Sequence, residues 1–133
     1  MAAVFYFGND LMFQSKIASA CKAAGLGIKV FRNPHNLADD WLDGAKPNLI
    51  IVDLGLANLD LAQLYPSLRS LLPDTRWLGY GAHVLADRLE QASSLGLDAV
   101  LTRGQFERDM VRILQSIANE IADTQKADPE QTK

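Results

Sequence analysis

Cysteine is almost absent from this chain of 133 residues: Cys21 stands alone. No intrachain disulfide can form, and one cysteine with two histidines, His35 and His83, leaves too few soft ligands for a structural zinc. An excess of positive charge is missing too. The 13 Lys and Arg are outnumbered by 16 Asp and Glu, and no basic run occurs, which excludes an electrostatic footprint for nucleic acid or an anionic membrane. Strictly apolar runs last only a few residues, too short to span a bilayer. Met1-Ala2-Ala3-Val4-Phe5 lacks the basic flank and long apolar stretch of a secretory signal, so a cytoplasmic protein is expected. What is present is ordinary: 48% apolar and 22% charged residues, which excludes a disordered or low-complexity chain. The length suits a single domain.

Strand and helix patterns alternate along it. Val4–Phe7 is an apolar, aromatic run that ends at Gly8-Asn9-Asp10. Phe13, Ile17, Ala20, Cys21 and Ala24 recur at helical spacing, and Gly25 stops that helix. Gly27–Phe31 reads as a second strand. Asn36 is placed to cap a short second helix through Leu37, Trp41 and Leu42 that Gly44 ends. Leu49-Ile50-Ile51-Val52-Asp53 is apolar on both faces, as a central parallel strand must be. Leu61, Leu64, Leu68, Leu71 and Leu72 mark a third helix, Thr75–Tyr80 a fourth strand, and Leu85, Leu89, Ala92 and Leu95 a fourth helix. Asp98–Thr102 is the fifth strand. Phe106, Met110, Ile113, Leu114, Ile117 and Ile121 make the stripe of a fifth helix. These boundaries give one domain over residues 1–123 and a polar, disordered tail over 124–133, with no output domain for direct transcriptional control. Five strands alternating with five helices predict an α/β sandwich, a parallel sheet covered on both faces. Its site should lie beyond the C-terminal strand ends.

With Leu-Ile-Ile-Val-Asp53 followed by Leu-Gly-Leu, the chain resembles the receiver domain of two-component response regulators over about residues 3–120. That resemblance implies a flavodoxin-like (βα)5 fold with a five-stranded parallel sheet of order 2-1-3-4-5. It also implies five functional positions. An acidic pair after the first strand holds Mg²⁺, and an Asp ending the third strand accepts a phosphoryl group. A Ser or Thr ending the fourth strand and a Lys ending the fifth bind that group. Here the acidic pair falls on Gly8 and Asn9, with Asp10 one residue further on. Asp53 stands at the acceptor position, Gly81 at the hydroxyl position and Arg103 at the Lys position, with Gly104 for the usual Pro and Val100 where an aromatic is common. Arg103 keeps the charge but not the compact ammonium.

The resemblance therefore implies a degenerate receiver that binds no cofactor and catalyses nothing, since Mg²⁺ needs several oxygens and phosphoryl transfer needs its charge neutralised. Such a domain acts through a protein partner or as a homodimer, by the face made of the fourth helix, fifth strand and fifth helix. The mixed charges of Asp87, Arg88, Glu90, Glu107, Arg108, Asp109 and Arg112 suit either that contact or a plain solvated face. A second reading keeps a phosphoswitch at Asp53, with a weak Mg²⁺ site at Asp10 and Asp53. A third is a small-molecule module using Tyr80, His83 and Arg103.

Each residue also has a plainer role. Asp53 can be an inherited polar strand end that hydrogen-bonds Arg103 or the loop amides, and His83 a helix cap or a contact. His35 is expected on the surface at the end of the sheet away from the site. Cys21 should be buried and inert. Trp41, among Asp39, Asp40 and Asp43, is partial core unless exposed as a protein contact.

Overall fold

In the computed structural model, which describes residues 2–127, β1 (Val4–Phe7) lies between β2 (Ile28–Phe31) and β3 (Leu49–Asp53). Beyond β3 come β4 (Arg76–Gly81) and β5 (Ala99–Thr102), so the parallel order is 2-1-3-4-5. This is the flavodoxin-like arrangement implied by the resemblance. The helices are α1 (Leu11–Ala23), α2 (Leu61–Leu71), α3 (Ala86–Leu95) and α4 (Arg103–Ala127), with a single 3-10 turn at His83–Leu85 before α3. None of the described helices is long and apolar enough to cross a membrane.

Strand alternation sorts the side chains into two layers. Val4, Tyr6, Leu49, Ile51, Leu78 and Tyr80 pack against Phe13, Ile17 and Cys21 of α1 and Phe106, Met110, Leu114 and Ile117 of α4. Phe5, Phe7, Ile50, Val52 and Trp77 pack on the other face against Leu61, Leu64, Tyr65 and Leu68 of α2 and Ala92 of α3. Gly79 sits inside β4 where Leu54 and Leu97 crowd it: a Cβ there would lie 3.0 Å from Leu97 Cδ2 and 3.2 Å from Leu54 Cδ1. Cys21 is buried as expected, and burial pushes its thiol up to about 11.

Two expectations need correction. The helix expected from Asn36 to Gly44 does not form, so four helices cover the sheet rather than five. The segment instead makes successive short turns, Trp41 N–H to Ala38 O, Asp43 N–H to Asp40 O and Ala45 N–H to Leu42 O. Asn33, not Asn36, organises its start by accepting from His35 N–H. Three Asp residues disfavour a helix interior, and Asp43 and Gly44 both take left-handed φ, 50° and 71°, which stops propagation. Trp41 stays useful there, half-buried against Phe5, Phe7 and Phe31 at ring-centroid distances of 5.8, 6.3 and 5.7 Å. Second, α4 runs through Ala127, so residues 124–127 are helical where the sequence placed the start of a disordered tail. The rest of that tail, residues 128–133, lies outside the described residues.

Candidate functional site

The C-terminal ends of β1, β3, β4 and β5 bring Gly8, Asp10, Asp53, Gly81 and Arg103 to one rim, as the topology requires. The pairing of Phe7 with Val52 sets Gly8 one step further along, beside Asp53. Asp53 pairs with Tyr80, and Gly81 with Thr102, which directly precedes Arg103.

Asp53 is half-buried and turns back on its own loop: its Oδ1 accepts the Gly55 N–H at 2.8 Å. Burial raises its carboxyl above the ordinary carboxylate value, and the negative charge of Asp10 adds to this. The Gly55 N–H, the Arg103 guanidinium and the Tyr80 hydroxyl work in the other direction. No ion pair joins Asp53 to Arg103, contrary to the expectation. Arg103 pairs with Asp10 instead and lays its guanidinium over the Phe13 ring, 4.9 Å from the centroid.

Asp10 has two duties. It is the N-cap of α1, its Oδ1 accepting the Phe13 N–H at 3.0 Å, while its Oδ2 meets Arg103. The Phe13 N–H foremost, and Arg103 after it, hold its carboxyl below the usual range against the effect of burial. The two carboxylates of the rim are thus perturbed in opposite senses.

Beneath them lies a pair that the resemblance did not single out. Tyr6 on β1 and Tyr80 on β4, both essentially inaccessible, reach toward each other across β3 and share a hydroxyl–hydroxyl hydrogen bond of 2.7 Å. The Tyr80 ring stacks on Phe13 at 4.6 Å and leans on Phe106 at 5.3 Å. Burial pushes the Tyr6 phenol up to about 12 and raises Tyr80 further still, so both stay neutral. The signal for this pair was present: two tyrosines in otherwise apolar central strands, each needing a partner for its hydroxyl.

The remaining positions separate. Gly8 is buried, and a Cβ added to it would fall 2.4 Å from Tyr6 Cζ. Gly81 faces Leu54, Leu85 and Leu89, an apolar setting for the hydroxyl position. Asn9 is exposed and turns away, lining an outer groove with Arg32, Asn33, His35 and Asn58. His83 is exposed on the 3-10 turn. His35 is on the surface but not at the far end of the sheet. It follows β2 on the site's own rim, where its Nε2 accepts the Asp60 N–H at 2.9 Å.

No protein-family model and no curated protein matches the chain. Solved structures do. A response regulator receiver domain from Clostridium thermocellum superposes with a TM-score of 0.71 at 11% identity, over 92% of this chain and 98% of that one. The chemotaxis response regulator CheY4 of Vibrio cholerae gives 0.69 at 15% identity, over 88% and 98%. A response regulator from Burkholderia pseudomallei, solved with a phosphorylated aspartic acid and a calcium ion, gives 0.64 at 22% identity, over 96% and 74%. The fold is the receiver fold of response regulators. Identities this low establish the fold and leave the chemistry to the residues.

Proposed function

We propose that this chain is a degenerate receiver domain that signals by protein–protein contact, without phosphoryl transfer to Asp53 and without Mg²⁺. One observation carries the reading: Asp10, the sole carboxylate that the first loop offers beside Asp53, is already engaged by the Phe13 N–H and by Arg103. A hard divalent cation needs several oxygens at once. Among the described residues no group of three or more His, Cys, Asp or Glu side chains is gathered to hold one. The donor set does not fit the ion. Arg103, the cation that would meet a transferred phosphoryl group, is held by Asp10, and the hydroxyl position at Gly81 presents no donor. Phosphoryl transfer is positioning plus charge neutralisation, and each contributor here is missing or otherwise bound.

The partner surface in this reading is α3–β5–α4, the counterpart of the fourth-helix, fifth-strand and fifth-helix face. Arg108, Asp109 and Arg112 of α4 form a small ion-pair network. The occupant is a signalling protein or a second copy of the chain.

Amide NMR spectra with and without Mg²⁺ and beryllofluoride test the reading. Unchanged resonances at millimolar Mg²⁺ are expected. Shifts centred on Asp53 and spreading to Gly81 and Arg103 would overturn it and install the phosphoswitch. Sedimentation then separates the occupants: a dimer that Arg108→Glu disrupts supports self-association through this face, and a monomer at tens of micromolar excludes it.

A further inference from the structure

We infer that Tyr6 is the residue that closes this pocket to a divalent cation, its phenol standing in the space that an acidic side chain at position 8 would need. The inference deepens the reading above by naming what shuts the site.

Position 8 demands glycine for space, not for backbone conformation. Its φ lies outside the left-handed region, unlike those of Gly25, Gly44 and Gly96. A Cβ there would lie 2.4 Å from Tyr6 Cζ, 2.5 Å from the Tyr6 hydroxyl and 2.9 Å from Cε1. Any side chain must displace that ring. The clash follows from strand geometry, since positions 6 and 8 share a face and the larger side chain extends along the strand toward its end.

The ring has nowhere to go. Tyr6 is fully buried, its hydroxyl is tied to Tyr80 at 2.7 Å, and Tyr80 is itself wedged between Phe13 and Phe106. Swinging Tyr6 aside would break the hydroxyl pair and leave the buried Tyr6 hydroxyl without its partner. Tyr6 and Gly8 therefore behave as one unit. An acidic residue at position 8 collides with the ring while Tyr6 remains, and losing Tyr6 alone opens a cavity beneath Gly8 and removes the 2.7 Å partner of the Tyr80 hydroxyl. Where the resemblance implies a side chain that neutralises a cation, this chain places a neutral ring in the space that side chain would need.

Two pairs of variants test this. Gly8→Ala should lower Tm by roughly 5–10 °C through overpacking, and Tyr6→Val should make the same alanine tolerated, so that Tyr6→Val/Gly8→Ala is no less stable than Tyr6→Val alone. Gly8→Asp/Asn9→Asp with Tyr6 kept should show no more Mn²⁺-induced broadening at the Asp53 amide than the wild type. Tyr6→Val/Gly8→Asp/Asn9→Asp should show it at about tenfold lower Mn²⁺ or less. A Gly8→Ala protein as stable as the wild type would overturn the inference, as would equal Mn²⁺ binding with and without Tyr6. If the acidic variants fail to fold, the alanine pair still decides. Mg²⁺ binding by the wild type would sink this inference together with the proposed function. An uncoupled alanine pair in a protein whose wild type stays silent would sink this inference alone.

Discussion

The loops after β1 and β3 end side by side on one rim, yet their carboxylates serve opposite ends. Asp10 holds the fold: it caps α1 and anchors Arg103 on Phe13. Asp53 caps no helix and makes no ion pair among the described residues; it folds back onto Gly55, and burial disfavours its charge. One loop serves the fold, while the other presents a half-buried carboxylate held by its own backbone. A perturbed carboxylate at the strand ends is not by itself an active site, because what its neighbours are free to do decides the matter.

The largest effect should come from removing what lies under both loops. Tyr6→Ala should lower the unfolding free energy by about 3–5 kcal/mol in urea denaturation, the cost of emptying a buried aromatic position. Tyr80→Phe should cost about 1–3 kcal/mol, because it strands the Tyr6 hydroxyl in the core. Tyr6→Phe/Tyr80→Phe should then cost less than the two single changes together, and strict additivity in that cycle would show that the hydroxyls act independently.

The two carboxylates themselves give changes of opposite sign. Asp10→Ala should destabilise by about 1 kcal/mol at neutral pH through the lost N-cap. The folded pKa of Asp10 is below the unfolded 3.8, so its contribution is present above 3.8 and disappears as pH falls through the lower value. Wild type and Asp10→Ala should converge in acid. Asp53 has its folded pKa above 3.8, so the wild type loses stability as pH rises through that higher value. Asp53→Asn, which keeps the acceptor for Gly55, should raise Tm by about 1–3 °C at neutral pH, with the gain closing below 3.8. Thermal melts across pH check both signs, and a parallel response of the two variants would erase the distinction drawn here. Smallest of all, Arg103→Ala should cost well under about 1 kcal/mol and less as salt rises, since the Arg103 side chain remains 47% exposed.

Much of the fold was legible in the residues. Leu49–Asp53 is apolar on both faces and became a central strand, and the stripe from Phe106 to Ile121 became the buried side of α4. The segment from Asn36 to Gly44 was not legible as turns, because a plausible cap and three apolar residues look the same whether the chain propagates a helix or folds into (i, i+3) turns. At the site, Gly8, Asp10, Asp53, Gly81 and Arg103 could be placed on one rim by counting along strands. Their partners could not. The expected Arg103–Asp53 pair gave way to Arg103–Asp10, and His35 was placed on the wrong rim although it follows β2.

The sequence by itself determined the five strands and the positions of the four helices that form, because burial patterns at periods of 2 and 3.6 are local and survive without knowledge of the rest of the chain. Only the tertiary structure decided what the site is made of. Tyr6 and Tyr80 are 74 positions apart and Asp10 and Arg103 are 93, so their meeting depends on sheet order and register, which no local pattern encodes. The need for glycine at position 8 is of the same kind: it is set by a ring two residues earlier that the packing of β4, α1 and α4 leaves nowhere else to stand.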